Sequence, residues 1–251
     1  MSQGIYIALS GAKLQQRRLE LLSNNLANAN TTGYKTDNIS AASFEVTLDE
    51  YMTDDGNFNN LTYTKTGQVS TDFSKGSMKN TGSPLNLALD GPGFFVVETP
   101  FGERYTRQGD FRLNKDGELV TPDGYKVKGQ GLSDLGDGNI HINSDGDVYL
   151  DDGDVYLDNI DKKGSIEIVA FKDQNSLKKE GHNLFAKMND EAMVEKPEIT
   201  TVEQGFLEMS NVNVVSEMVN MIEVNRLYEA YQKMIRTIDE SSGKAINELV
   251  K

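Results

Sequence analysis

Two amphipathic stripes sit at opposite ends of the chain, and any fold must bring them to apolar cover. Near the start, Ile5, Leu9, Ala12, Gln16, Leu19, Leu22 and Leu26 recur at spacings of three and four, the mark of one apolar helix face. Lys13, Gln15, Arg17, Arg18 and Glu20 supply a polar side. The spacing predicts a helix from about Gln3 to Ala29, ending near Asn30, where a polar, β-branched run reaches Gly33. At the other end, Val224, Leu227, Tyr231, Met234, Ile238 and Ala245 repeat near every 3.5 residues, preceded by Val214, Met218, Met221 and Ile222. One long helix from about Val214 to Val250 is expected. Such stripes more often bury into an ordinary core than serve as assembly surfaces, and their place at the extremes of the chain weakens the core reading.

The middle has a different grammar. Asp90-Gly91, Asp116-Gly117, Asp123-Gly124, Asp145-Gly146 and Asp152-Gly153 punctuate short apolar or alternating runs, which is how turns separate strands. Strands are expected at Phe94 to Val97, Glu118 to Thr121, Val148 to Leu150, Val155 to Leu157 and Ile166 to Phe171, with Pro92 and Pro122 confined to turns. Residues 31–81 are rich in Thr, Asn, Ser and Gly, with scattered aromatics at Tyr34, Phe44, Tyr51, Phe58, Tyr63 and Phe73, and read as an extended arm. The fold class is therefore mixed α and β. N- and C-terminal helices (1–30 and 211–251) form an antiparallel helical pair, an all-β central domain (82–187) is inserted between them, and extended arms (31–81 and 188–210) connect the two.

Composition narrows the function classes. With 251 residues and 37% hydrophobic content, one or two folded units are expected. A net charge of −14 opposes phosphate backbones, so no nucleic-acid partner is expected. No run of about 18 apolar residues occurs, and Met1 to Ile7 lacks the pattern of a cleavable leader, so neither membrane insertion nor a signal peptide is expected. The absence of cysteine removes disulfides, thiolate nucleophiles and Cys-ligated metals.

No constellation in the sequence specifies catalysis. The acidic run from Asp145 to Asp154 carries a repeat of Asp-Gly-Asp-Val-Tyr-Leu, and calcium favours oxygen-rich loops. Its spacing departs from the EF-hand and from the nonapeptide β-roll, so two consecutive hairpin segments are expected there. His141 and His182 lack a nearby nucleophile motif or a second ligand at helical spacing. The glycines at 91, 93, 129 and 131 do not continue into a phosphate-binding loop. Carboxylates are too common for a glycosidase-type pair to be specific. No catalytic residue, cofactor or metal is assigned.

The run from Asn24 to Lys35, NNLANANTTGYK, resembles the N-terminal signature of the bacterial flagellar axial family of rod, hook and hook-associated proteins. The resemblance continues at Pro84 to Val97 (PLNLALDGPGFFVV), at Arg104 to Asn114 (RYTRQGDFRLN), at Gly117 to Thr121, and from Ser210 to Ile235 (SNVNVVSEMVNMIEVNRLYEAYQKMI). It implies a non-enzymatic structural subunit of the basal-body rod. Such a subunit is exported unfolded by the flagellar type III machinery and polymerises helically with copies of itself and neighbouring rod proteins to carry torque across the periplasm. Glu98 to Arg107 most resembles the proximal rod proteins, with the distal rod next.

The resemblance makes Ile5, Leu9, Leu19, Leu22, Leu26, Met218, Met221, Val224, Leu227, Tyr231, Met234 and Ile238 the expected assembly interface. Asn24, Asn25, Leu26, Ala27, Asn28, Thr32, Gly33 and Tyr34 are the expected signature residues. Asn213 stands where relatives often carry Pro. A calcium-binding β module and a peptidoglycan-cleaving enzyme are the competing readings.

Overall fold

A computed structural model describes residues 2–39, 69–133, 135–136, 139–151, 162–188, 194–195 and 199–249. The aromatics Phe44, Tyr51, Phe58 and Tyr63 and the expected strand Val155 to Leu157 lie outside these. The chain divides into two units: residues 1–27, 37–70 and 213–251 form one, and 28–36 with 71–212 form the other.

The first unit holds helices α1 (Ser2–Ala27) and α2 (Val214–Leu249). Asn213 caps α2, its side-chain oxygen accepting from the Ser216 amide at 3.1 Å and its carbonyl from the Glu217 amide at 2.9 Å. Two of the helix's first donors are thereby satisfied, one of them by a side-chain contact that a proline could not make. Val224 is buried on α2, and Met221, Tyr228, Tyr231, Ile235 and Ile238 on the same stripe are half-buried. On α1 the buried positions are Ala8, Gly11, Ala12, Leu14, Gln15 and Asn25. The helices touch directly: a Cβ on Gly11 would lie 2.5 Å from the Tyr231 ring. At a second point the Asn25 amide donates to the Glu217 carboxylate at 3.4 Å.

The second unit is antiparallel β throughout its described pairings. Its main sheet runs in the order Leu177–Gly181, Leu184–Lys187, Gly102–Thr106, Phe94–Thr99, Lys126–Val127, Leu119–Val120, Arg112–Leu113. A four-stranded sheet orders Gly129–Gln130, Lys162–Ile166, Asp147–Asp151 and Asn139–Ile142. Two further ladders join Thr201–Gln204 to Leu87–Asp90 and Phe206–Glu208 to Met78–Asn80.

Successive side chains of a strand point to opposite faces, and Phe94–Thr99 is covered on both. Phe95 and Val97 enter a core with Leu87, Leu89, Phe111, Val148 and Ile166. Phe94 and Val96 enter another with Tyr105, Val169, Phe171 and Phe185. The second core is aromatic, with Tyr105 and Phe171 edge to face at 4.8 Å and Phe73 5.1 Å from Phe185.

The structure departs from sequence expectation at Ile166 to Phe171. This run is two strands rather than one: Lys162–Ile166 belongs to the four-stranded sheet, and Ile168–Phe171 pairs with Phe94–Thr99. Glu167 is the switch, its amide bonded to the Lys128 carbonyl and its carbonyl to the Val96 amide. An uninterrupted apolar run carries no mark of where its partner changes.

Candidate functional site

The terminal helices keep apolar side chains outside their mutual contact. One flank of α2 exposes Val215, Met218, Val219 and Ile222, with Val215 73% accessible. Leu227 and Met234 are 40% and 49% accessible. On α1, Tyr6, Ile7 and Leu9 are exposed. Beside Leu227, a shallow groove of ≈ 270 Å³ is lined by Val219, Ile222, Glu223, Arg226 and Leu227. Of the residues expected to form the interface, Val224 is buried, and Ile5, Leu19, Leu22, Leu26, Met221, Tyr231 and Ile238 are half-buried. Leu9, Met218, Leu227 and Met234 are exposed. Consecutive helix positions lie about 100° apart, so Met221 can turn inward while Ile222 turns out.

The signature residues divide between the units. Asn25, 1% accessible, holds the backbone of Asp37 at both ends, donating to its carbonyl at 3.0 Å and accepting from its amide at 3.1 Å. The segment from residue 28 to 36 belongs to the β unit, and nearly every group on its second half is fastened there. Thr32 donates to Asp110 at 3.2 Å, and Asn183 donates to the Thr32 carbonyl at 3.1 Å. Gly33 has φ +67°, and a Cβ there would run into the backbone of Arg107 and Gln108. Only glycine fits, on grounds of both conformation and room. Its amide donates to the Glu208 carbonyl at 2.8 Å. Tyr34 is buried, with the Lys179 ammonium 3.7 Å from its ring centroid, close enough for a cation–π attraction. The same ammonium donates to the Lys35 carbonyl at 2.7 Å. Thr36 donates to the Asn211 side-chain oxygen through both its amide, at 2.9 Å, and its hydroxyl, at 2.7 Å.

Lys35, Arg107 and Glu208 form a buried charge cluster, with residue accessibilities of 1%, 5% and 1%. The Lys35 ammonium donates to one Glu208 oxygen at 2.6 Å and to the Ser74 carbonyl at 2.7 Å. Arg107 donates to the other Glu208 oxygen at 3.3 Å, to the Gly91 carbonyl at 2.7 Å and to the Leu89 carbonyl at 3.4 Å. The Gly76 amide completes the carboxylate at 2.9 Å. Loss of water pushes Lys35 below the usual lysine range despite the neighbouring Glu208, and Arg107 shifts in the same direction for the same reason. Burial thus outweighs attraction for both cations, as is common for buried ion pairs. Sequence reading placed Lys35 and Arg107 inside motifs but gave them no role. It missed Glu208, whose one signal was its position two residues before the Ser210 motif.

The groups weighed for catalysis stand apart. His141 is exposed, and His182 lies 3.4 Å from Asp123 on an open surface. Among the described residues no group of three or more His, Asp or Glu side chains is placed to hold a metal. Residues 152–161 of the acidic repeat fall outside them. The region from Asp147 to Asp151 is a strand between two partners. No described helix is long and apolar enough to cross a membrane.

A β unit flanked in sequence by helices whose apolar flanks stay open has the make-up of one class, subunits built to pack against others. Three family models match in order along the chain. "Flagella basal body rod protein" covers residues 5–35, "Flagellar hook protein FlgE/F/G D1 domain" covers 88–168, and "Flagellar basal body rod FlgEFG protein C-terminal" covers 203–248. Flagellar basal-body rod protein FlgF of Caulobacter vibrioides is 34% identical over 100% of this chain and 99% of its own length. FlgG of Buchnera aphidicola is 33% identical over 97% and 98%. Flagellar hook-basal body complex protein FlhO of Bacillus subtilis is 32% identical over 100% of both. The chain belongs to the flagellar basal-body rod family, and it is a structural subunit of the rod.

Proposed function

We propose that this subunit polymerises through the outer flanks of its two terminal helices, which run antiparallel and carry the β unit as an inserted spacer. The observation that carries the reading is the split of the apolar stripe. Met221, Val224, Tyr231 and Ile238 are at least partly covered within the subunit, while Met218, Leu227 and Met234 remain exposed. Exposed apolar flanks of this kind mark association surfaces. Because each copy meets others above and beside it, the contacts are heterologous and propagate as an open helical array. The wider partners are neighbouring rod proteins and, before assembly, the flagellar type III export machinery, with the finished rod spanning the periplasm. The helix pair leaves large apolar side chains without cover, so packing against further copies adds to its stability.

The proximal rod is the favoured position. Glu98 to Arg107 supports it as the segment most like proximal subunits; it forms the hairpin of Phe94–Thr99 and Gly102–Thr106. Cryo-electron microscopy of isolated basal bodies, with this chain's side chains fitted to axial density, tests the position.

Leu227→Asp or Met234→Asp tests the surface. Both sites are exposed in the subunit, so folding should change by no more than about 0.5 kcal/mol. Rod incorporation and swimming should be lost, because a carboxylate buried unpaired between subunits costs several kcal/mol, on the order of about 3–5. Normal rods carrying either variant would remove the stripe from the assembly interface.

A further inference from the structure

Two cations and one carboxylate make an unbalanced buried set, and that imbalance has a direction. Remove either cation and a neutral pair remains; remove Glu208 and Lys35 faces Arg107 with only carbonyls between them. Glu208 also comes last in the chain. Lys35 lies on the segment just after α1, Arg107 follows the Gly102–Thr106 strand, and Glu208 ends the Phe206–Glu208 strand that pairs with Met78–Asn80. The cluster therefore draws on three of the chain's sequence regions, and only the final one supplies negative charge.

We infer that Glu208 is a closing residue: the segment 28–36 docks on the β unit only when the strand carrying Glu208 is in place, which makes docking a test of chain completeness. Three kinds of contact converge on the dependence. The Glu208 carboxylate holds Lys35, Arg107 and the Gly76 amide, its backbone carbonyl holds the Gly33 amide, and three residues on, Asn211 holds Thr36. Asn211 also donates to the Asp72 carbonyl at 2.9 Å, while the Asp72 amide donates to the Thr36 carbonyl at 2.8 Å. A chain lacking this last strand would bury two like charges side by side, a far costlier arrangement than leaving the segment in water. On the assembly reading above, on which this consequence rests, docked segments are then confined to complete subunits.

Hydrogen exchange of the full-length soluble chain tests the inference through Glu208→Gln, which keeps the shape and removes the charge, against Lys35→Met. Glu208→Gln should speed exchange of the amides at 33–36 by at least about 100-fold, and Lys35→Met by less than about 10-fold. Amides of Phe94–Thr99 should stay protected in both. Should Glu208→Gln unfold the whole unit, adding Lys35→Met is expected to restore folding, since one buried cation replaces two. Equal effects of the two single variants, unchanged exchange at 33–36, or a double variant no better folded than Glu208→Gln would each overturn the closing role, because a purely hydrogen-bonding cluster behaves in those ways. The assembly reading is scored separately, by rod incorporation of Leu227→Asp. Normal incorporation there alongside opened 33–36 amides in Glu208→Gln would leave the closing role standing and remove the assembly surface.

Discussion

The two units invert each other's treatment of surface. In the β unit the strand interiors are shut away, with Phe95, Val97 and Leu87 at 0% accessibility, three charged groups are taken inside with them, and exposed apolar side chains are scattered singly at Phe101, Met188 and Ile199. In the helical unit the buried positions are mostly small or polar, Ala8, Gly11, Ala12, Gln15 and Asn25, while Val215, Val219 and Ile222 face out. A self-sufficient core tolerates a charge cluster because its surroundings satisfy it. A helix pair that keeps small residues inside and large ones outside has its contact energy still to gain. The β unit closes its own cores within one chain, whereas the helical unit leaves a run of large apolar side chains open on α2.

The largest expected effect sharpens the first half of that contrast. Phe95→Ala should destabilise the β unit by about 3–5 kcal/mol, since the ring is wholly buried against Phe111 at 5.1 Å and the site cannot collapse around the loss. Chemical denaturation followed by the near-ultraviolet signal of the unit's tyrosines checks it; a loss below about 1 kcal/mol would mean this core is looser than its packing implies.

Gly11→Val probes the helical unit. The new side chain would lie where the Tyr231 ring now sits. The expected result is separation of α1 from α2 at a cost of about 1–3 kcal/mol, seen as lost helical circular dichroism at 222 nm, the far-ultraviolet helix band. The tertiary signal of the β unit should be unchanged. A parallel loss in both signals would break the contrast between the two units.

The smallest effect concerns alkaline pH. Burial holds Lys35 below the usual lysine value of 10.5, so the folded chain releases this proton at a lower pH than the unfolded chain does. Between those two values the unfolded state binds more protons, and stability from this group rises with pH. The charged groups that act on it are Glu208, Arg107 and Asp72. Relative to Lys35→Met, the native chain should therefore gain about 1–2 °C in Tm as pH climbs toward the usual lysine value. A relative loss over the same interval would reverse the sign assigned to burial.

Legibility in the sequence followed the range of the interaction. The expected helix ends near Ala29 and Val250 compare with Ala27 and Leu249, because periodicity is local. The apolar run at Phe94 and the Asp-Gly turns at Asp116, Asp123 and Asp145 marked strands and their ends for the same reason. Which face of α2 lies inward was not legible: Met218, Met221 and Ile222 read as one surface, and only the partner helix separates them. The charge cluster was hidden further still. Lys35 and Glu208 are 173 positions apart, Glu208 lies between Leu207 and Met209 without any mark of its partner, and nothing local distinguishes a lysine that will be buried from one that will not.

The doubly covered strand Phe94–Thr99 carries one more implication, for how the sheet finds its alignment. Its two faces present the same order, Phe94 then Val96 on one and Phe95 then Val97 on the other. Sliding the strand by one position would exchange the faces and bring either Glu98 into the place of Val97 or Gly93 into the place of Phe94, so hydrophobic pattern forbids the slip from both sides. The turn that follows adds a second constraint on the same register. Thr99 accepts from the Phe101 amide at 3.2 Å and donates to the Gly102 carbonyl at 2.7 Å, and Gly102 takes φ +100°. One half-buried threonine and one exposed glycine thereby reinforce the alignment that Gly93 and Glu98 set from either end of the apolar run.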